Sequence, residues 1–303
     1  DETPFYAESG GQIGDTGTIK GAGIDLIVND VLKENDVFIH YCSGEFEKGN
    51  AGNIVMCSVN YQRRQNIRKN HTATHLMHAA LKEVLGEHVN QAGSLVHPDY
   101  LRFDLTHHEK ITAEEVRQIE SIVNREILEN TDVQTAVKDF EDARKEGAVA
   151  IFGEKYGDTV RVLSIGNFSK ELCGGTHVER TGDIGLFKIT EESSLASGVR
   201  RVAAVTGPKA IEFVQHQADI LAGLQSKLTS SIDDLGERVD QLMQSKKDLE
   251  KSLKQKQKSA SSFNAKQIAS SANESGGKQI VVLETDASDM NTLKQYGDQL
   301  LNA

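Results

Sequence analysis

The chain has 303 residues, a net charge of -11 at pH 7 and a hydrophobic fraction of 38%, which is the composition of an ordinary globular protein. No stretch approaches the roughly 18 consecutive apolar residues that a membrane-spanning helix needs, and the N-terminus lacks the pattern of a signal peptide. Three cysteines are too few for a disulfide framework, so we expect a reducing compartment, the cytoplasm, and no membrane contact. The length is enough for one large core or for two to three domains.

Residues 1–62 are rich in glycine and alternate between apolar and polar side chains, which predicts short β-strands joined by tight turns. We expect this part to form a small β-barrel or a curved sheet. Gly10 and Gly11 either form one of these turns or let the backbone approach a ligand closely. Cys42 and Cys57 lie in strand-like stretches and are predicted to be small buried residues. The segments with clear alternation are 24–28, 37–41 and 54–59.

Residues 63–207 are predicted to alternate between helices and strands, which indicates an α+β layer. Apolar residues recur at helical spacing from about Gln65, and Gly86 then gives a stop signal. A second long helix is predicted at 112–130, where Thr112 and Glu115 form a capping box. A shorter helix is predicted at 139–147, and strands are predicted at 101–105, 133–137, 160–165, 186–190 and 199–205.

Residues 208–277 are predicted to form a coiled coil or helical hairpin followed by a linker, because leucines recur there at heptad spacing. The stretch 259–277 is rich in Ser, Ala and Asn and is predicted to be the flexible linker or a turn. Lysines at 246–258 leave room for contacts with RNA phosphates. Residues 278–303 are predicted to be a truncated α/β piece, with a strand at 279–284 and a helix at 289–301. The apolar positions of the heptad pattern are Leu228, Ile232, Leu235, Val239, Leu242, Leu249 and Leu253.

Two pairs of metal-binding residue types stand out, and the members of each pair are four residues apart. His71 and His75 fall on a predicted helix, so their side chains lie on one face. Cys173 and His177 enclose a Gly-Gly turn and form the second pair. One sulfur and three nitrogens are a borderline-soft ligand set that suits Zn²⁺ better than Mg²⁺ or Ca²⁺. The histidines interpreted as ordinary surface or core residues are His78, His88, His97, His107 and His108.

The two pairs leave the role of a shared ion open. Four protein ligands complete a tetrahedral site, which is typical of structural zinc, whereas catalytic zinc usually keeps a position for water. Thr72 occupies the position where metalloproteases carry the glutamate that acts as general base. A peptidase mechanism is therefore disfavoured.

The sequence around these pairs resembles the editing region of alanyl-tRNA synthetases, and the resemblance continues over nearly the whole chain. Freestanding editing proteins share the His and Cys motifs, but the N-terminal motif and the predicted coiled coil favour the synthetase. The motifs that carry the resemblance lie at 5–17, 70–76, 91–95, 101–104, 153–158, 171–178 and 198–201.

The resemblance implies a hydrolase that removes serine or glycine from tRNA(Ala) charged in error. It implies Zn²⁺ as cofactor, and Gln91 is implied to face the substrate. Gln91 or the hydroxyl of Thr72 is the candidate for gripping the serine hydroxyl, while a ribose hydroxyl is a candidate to assist in place of an assured general base. The zinc ligands that it implies are His71, His75, Cys173 and His177.

Further residues are candidates for binding the acceptor end of tRNA(Ala). Backbone amides of two glycine pairs are expected to hold the ester and the ribose, and two adjacent arginines supply local positive charge for phosphates. These residues are Gly10, Gly11, Gly174, Gly175, Arg63 and Arg64.

The resemblance also sets expectations for a longer protein. The chain starts at Asp1 rather than Met, so we expect the aminoacylation domain with its ATP site upstream, and no aminoacylation from this stretch alone. Downstream we expect a domain that binds tRNA and promotes a homodimer. Two alternatives stay open: a freestanding trans-editing alanyl-tRNA deacylase, and a structural-zinc module for tRNA binding or dimerisation.

Overall fold

The computed structural model of the protein describes residues 2–47, 52–149, 157–282, 284 and 290–303. The chain divides into two compact units, Asp1–Gln217 and Ala218–Ala303. The named strands within the described ranges all pair antiparallel, as the predicted α+β class requires. No helix in those ranges is long and apolar enough to cross a bilayer. The finer division at 62, 207 and 277 stays a prediction.

The N-terminal part forms an open four-stranded sheet rather than the predicted small barrel. The strand order is β3-β2-β1-β4, so β3 and β4 lie at opposite edges, and the described residues of these two strands do not pair. One face of the sheet covers a small core that contains Phe5, Ala7, Val28 and Val31. Alternation predicts strands correctly but carries no information about closure. The strands are β1 Gly17–Gly21, β2 Ile24–Glu34, β3 Val37–Phe46 and β4 Met56–Val59.

The two cysteines of this sheet differ from each other. Cys42 lies on the edge strand β3 and is exposed, so the prediction that it is buried is wrong. Cys57 on β4 is half-buried and packs against the small core.

The helix α1 (Tyr61–Leu85) is deeply buried over its middle part. Asn60 caps its N-terminus by accepting a hydrogen bond from Arg63 N, and the helix ends before Gly86, as predicted. The helix begins earlier than the apolar spacing indicated, so the histidine pair lies near its middle. Residues 70–78 are all buried. A helix that is buried on every face must satisfy its polar side chains inside the protein.

The elements that follow α1 form two further antiparallel sheets, in the orders β10-β11-β6-β5 and β7-β8-β9. In chain order the elements are β5 Gln91–Val96, β6 Leu101–Thr106, α2 Ala113–Leu128, β7 Val133–Asp139, α3 Phe140–Lys145, β8 Thr159–Ile165, β9 Ser169–Leu172, a 3₁₀ turn Thr181–Ile184, β10 Phe187–Ala196 and β11 Val199–Thr206.

The main core lies where α1 and α2 cover the sheet that contains β6 and β11, and Leu76, Phe103 and Val123 are buried in it. The predicted capping box of α2 is confirmed: Glu115 N donates to Thr112 Oγ1 at 3.2 Å, and Thr112 N donates to Glu115 Oε2 at 2.7 Å. This core holds α1 rigidly against the sheets, which matters because α1 carries the histidine pair.

The C-terminal part is more helical than predicted. The helix breaks after Leu228, at Thr229 with φ 50°, so the first two leucines of the heptad pattern lie on different helices. The second of these helices runs through most of the predicted linker, since Ser, Ala, Lys and Gln contain no helix breaker. Glycines 276 and 277 turn a short hairpin instead. The elements are α4 Gly207–Leu228, α5 Leu235–Ala269, β12 Asn273–Ser275, β13 Lys278–Ile280 and α6 Met290–Leu301.

The coiled coil stays a prediction. Val239, Leu242, Leu249 and Leu253 of the heptad pattern are exposed on α5. The predicted strand at 279–284 ends at Ile280, and residues 283 and 289 of the predicted elements lie outside the described ones.

Candidate metal centre

Four side chains from two distant stretches of the chain meet in one cluster. His71 and His75 project from the same face of α1, with their rings stacked at a centroid distance of 5.2 Å. Cys173 and His177 lie on the loop that leaves β9. One ligand atom from each of the four residues lies within 4.8 Å of the others. The two sequence pairs therefore form one site, with a nitrogen, nitrogen, sulfur and nitrogen donor set.

Each histidine of the cluster is oriented through its Nδ1 atom. His71 Nδ1 lies 2.7 Å from Gln12 Oε1, and His75 Nδ1 lies 2.8 Å from Glu171 Oε2. His177 Nδ1 lies 3.3 Å from Thr72 Oγ1. A hydrogen bond at Nδ1 fixes the ring and leaves Nε2 as the ligand atom, which is the usual arrangement around protein-bound zinc.

The Nε2 atoms point to the cluster centre. Those of His71 and His177 lie 3.4 Å and 3.3 Å from Cys173 Sγ. His75 Nε2 is buried and has no hydrogen-bond partner among the described residues. A buried donor without a partner is costly, and a metal ion would provide that partner. The residues present therefore fit Zn²⁺ in kind, number and orientation.

Burial and neighbouring charges shift the pKa values of these groups. Burial would raise the pKa of the Cys173 thiol, but His71 and His75 hold it well below its ordinary value. Burial and the charge of His71 lower the pKa of His177 to about 3. Burial would raise the pKa of Glu171, yet the nearby histidines lower it. Thiolate, neutral imidazole and carboxylate are the forms that bind a metal or support its ligands.

The pKa of His75 is shifted upwards, in contrast to that of His177. Burial would lower its pKa, but the charges of Glu171 and Cys173 raise it to about 10. In the metal-free protein these charges favour the form of His75 that carries a proton on both ring nitrogens. A bound metal ion takes the place of the proton on Nε2.

Three of the glycines predicted to bind substrate differ in the space around them. A Cβ at Gly175 would overlap the His71 ring and lie 2.9 Å from Gln12 Oε1, whereas a Cβ at Gly174 would meet nothing within 4 Å. At Gly11, with φ +81°, a Cβ would lie 2.5 Å from Ser94 O. Gly175 thus leaves room for the side chains of His71 and Gln12, and Gly11 allows its segment to approach the backbone of Ser94.

A cleft with a volume of about 290 Å³ adjoins the cluster, and His71, His75 and Cys173 line it. Four of the predicted substrate residues also line this cleft. They are Gly10, Gln91, Gly174 and Gly175. Hydroxyl groups and the guanidinium of Arg161 also line it, together with Gly157 and two apolar residues. The remaining lining residues are Tyr6, Ser9, Thr74, Ser94, Gly157, Thr159, Val160, Arg161 and Leu172.

Other predicted site residues lie away from the cleft. Thr72 is fully buried behind the ligands: its hydroxyl donates to Arg68 O at 2.9 Å and accepts from Val178 N at 3.2 Å. Arg63 Nη1 donates to Gly14 O at 2.7 Å, and Arg64 Nε donates to Asp15 Oδ1 at 2.9 Å. Both arginines tie α1 to the N-terminal segment.

Two further predicted features, Gly11 and the motif at 153–158, lie next to the cleft or partly outside the described residues. Gly11 lies beside the cleft lining, where its carbonyl accepts a hydrogen bond from Val96 N at 2.7 Å. Residues 153–156 lie outside the described part of the chain, while Gly157 lines the cleft.

Sequence reasoning missed the residues that support the ligands. Glu171 precedes Cys173 by two positions, so strand periodicity places both side chains on one face. Glu171 also reaches His78, whose Nδ1 lies 3.2 Å from Glu171 Oε1. Gln12 gave no such signal, because its contact with His71 joins stretches far apart in the sequence.

The comparisons with known proteins agree with this site. Residues 160–203 match the model of the threonyl and alanyl tRNA synthetase second additional domain, and residues 1–63 match class II (A) tRNA synthetases. The alanine–tRNA ligase of Bordetella petrii is 47% identical over 303 residues, which is 99% of this chain. The chain belongs to the alanyl-tRNA synthetase family. It spans 34% of the length of that curated ligase.

The matched domain ranges include only half of the metal-binding cluster. The second additional domain of the alanyl-tRNA synthetase family, as matched, includes Cys173 and His177. His71 and His75 lie outside both matched ranges. The match with the alanine–tRNA ligase extends over 99% of this chain, so the complete cluster lies in the region shared with that relative.

Proposed function

We propose that this region hydrolyses the ester of Ser-tRNA(Ala) and Gly-tRNA(Ala), with Zn²⁺ bound by His71, His75, Cys173 and His177. The observation that supports this most is the four-ligand cluster beside a cleft lined by polar groups. An alanine pocket rejects glycine or serine only about 100-fold, so accurate charging needs a second, hydrolytic sieve.

Gln91 is the residue that we propose for selecting serine. It lines the cleft, and its amide offers both donors and an acceptor to a hydroxyl. A site that hydrogen-bonds a substrate hydroxyl rejects the analogue without it, because its own polar groups are then left unpaired. This hydroxyl contact applies to the serine ester, since alanine presents a methyl group in that place and glycine has no side chain. Thr72 has no access to the cleft, so we assign it to the orientation of His177.

Hydrolysis adds water oxygen to the ester carbonyl carbon and breaks the bond to the ribose oxygen, which takes up a proton. We propose that backbone amides around Gly10 and Gly174 hold the ester and ribose in the cleft. When bound, Zn²⁺ supplies Lewis-acid polarisation or positioning of the water or the ester. Gln12 and Glu171 keep the ligand rings in place.

The test compares release of serine and alanine from Ser-tRNA(Ala) and Ala-tRNA(Ala), with zinc content measured in parallel. The wild-type protein should release serine and leave alanine attached. Cys173→Ala should lose zinc and slow serine release more than about 100-fold. Cys42→Ala, at an exposed cysteine on β3, is the matched control and should behave as wild type. Serine release at the wild-type rate from zinc-free Cys173→Ala would refute the zinc-centred proposal.

A structural metal is the second candidate function, because four protein ligands complete a tetrahedral site. In that case the region binds tRNA or promotes association without hydrolysis. The same assay separates the two: binding of Ser-tRNA(Ala) with no release of serine by the zinc-loaded protein would favour the structural role.

The activity of a longer protein is a separate proposal. We propose that the full ligase attaches alanine to tRNA(Ala) with ATP and forms a homodimer through its C-terminal region. The exposed apolar residues Val239, Leu242 and Leu249 of α5 support an association role. Light scattering should give a dimer for the full protein and a monomer for a version that ends at residue 234, before α5. The same oligomeric state for both proteins would contradict this proposal.

A further inference from the structure

Arg161 interrupts an apolar strand at the point where β8 reaches the cleft. Val160 and Val162 face the small core beside α3, whereas Leu163 and Ile165 are buried in the main core. Strand periodicity places Arg161 on the same face as Leu163 and Ile165. Arg161 is half-buried and lines the cleft. An arginine in this register requires a polar partner.

The loop that leaves β9 and contains Cys173–His177, called the ligand loop below, supplies hydrogen-bond partners for Arg161. Cys173 N donates to the backbone carbonyl of Arg161 at 3.0 Å. The guanidinium Nη1 of Arg161 donates in turn to the carbonyl of Gly175. Arg161 is thus fixed against the loop by main chain and side chain. One carbonyl uses only one of the five N–H donors of a guanidinium.

No carboxylate balances this charge in the described part of the chain. None of the described residues that line the cleft is an aspartate or glutamate, and no ion pair of Arg161 occurs among the described residues. A half-buried guanidinium with free donors favours an anion with several oxygens, and its planar fork matches a phosphate.

We propose that Arg161 binds the phosphate group attached to the nucleoside whose ester lies at the metal centre. The proposal rests on the proposed function, because the ester of a charged tRNA is on its terminal nucleoside. The phosphate on the 5′ side of that nucleoside is the anion closest to the ester. Arg161 thereby links recognition of the nucleic acid to the position of the Cys173–Gly175 loop.

The test uses two small substrates, seryl-adenosine with and without a 5′-phosphate. Arg161→Gln removes the charge and keeps an amide that can donate to the Gly175 carbonyl. For the phosphorylated ester, kcat/KM should fall roughly 10- to 100-fold, the loss expected for a charged hydrogen bond. For the ester without phosphate it should change less than about threefold. Arg117→Gln, on the exposed surface of α2, removes the same charge elsewhere and should affect neither substrate.

Binding separates failure of this proposal from failure of the proposed function. Wild-type protein should bind AMP more tightly than adenosine, and Arg161→Gln should remove that difference while keeping its zinc. Equal losses for both esters, or an unchanged preference for AMP, would overturn the phosphate role and leave Arg161 as a support of the loop. If neither ester is hydrolysed by the wild type but the AMP preference depends on Arg161, the deacylase proposal fails and the phosphate site stands.

Discussion

Replacing Gly175 with Ala should weaken metal binding through a purely steric effect. The added methyl would overlap the His71 ring, whereas carbon atoms in contact are normally about 3.5 Å apart. The ring or the loop must therefore move by about 1 Å or more, while metal–ligand distances tolerate changes of about 0.2 Å. His71 Nδ1 is also held by Gln12 Oε1, which would itself lie 2.9 Å from the added methyl group, so the ring has no free space beside the loop.

The expected loss of metal affinity for Gly175→Ala is about 10- to 100-fold, or about 1.4–2.7 kcal/mol. Gly174→Ala is the matched control, since a methyl group there meets nothing within 4 Å. Affinity is measured by competition with a chromophoric chelator, and circular dichroism confirms the fold of both variants. If the two variants bind zinc equally tightly, the steric explanation is wrong.

Three further results are expected. Glu171→Gln keeps the shape of the side chain but removes the charge beside His75, so chelator competition should show metal affinity about 10- to 100-fold lower; unchanged affinity would contradict a supporting role. Because the pKa of His75 is raised to about 10, zinc uptake between about pH 6 and 9 should release about one proton and tighten about tenfold per pH unit. Calorimetry in buffers of different ionisation enthalpy measures that proton, and an affinity independent of pH would exclude it. Thr112→Ala removes the α2 cap and should lower the free energy of unfolding by about 1 kcal/mol in chemical denaturation, with zinc affinity unchanged; full stability would show that Glu115 alone suffices.

The sequence predicted each half of the cluster because the spacing within each pair is local, whereas the meeting of the two halves was implied by the resemblance. Spacing by four on a helix places His71 and His75 together whatever surrounds them, and the capping box of α2 depends only on Thr112 and Glu115. The support of the ligands was not predictable in the same way, since Gln12 meets His71 only after the sheets have folded. Alternation also predicted the N-terminal strands, but it could not tell an open sheet from a closed barrel, because the pairing of the two edge strands is a tertiary property.

The heptad pattern shows that apolar spacing can continue across a point where the helix ends. Leucines at 228 and 235 satisfy the spacing, but Thr229 adopts a left-handed conformation and separates two helices. The spacing of apolar residues does not reveal a helix break that requires only one residue with an unfavourable backbone conformation. The same holds for Arg161, whose place in an apolar strand became meaningful only when the cleft beside it was known.

Gln12 has a consequence for how this region can be divided. Its side-chain oxygen contacts His71 Nδ1 at 2.7 Å and accepts from Thr176 N at 2.9 Å. One amide thus joins the N-terminal segment, the helix and the ligand loop, although the matched domain models end at residue 63 and begin at residue 160. A recombinant piece that starts at α1 would contain all four ligands and still lack the group that orients one of them. The complete site is therefore larger than either matched domain. A chimera made from two homologues must take the N-terminal segment, α1 and the loop with Cys173 and His177 from the same parent.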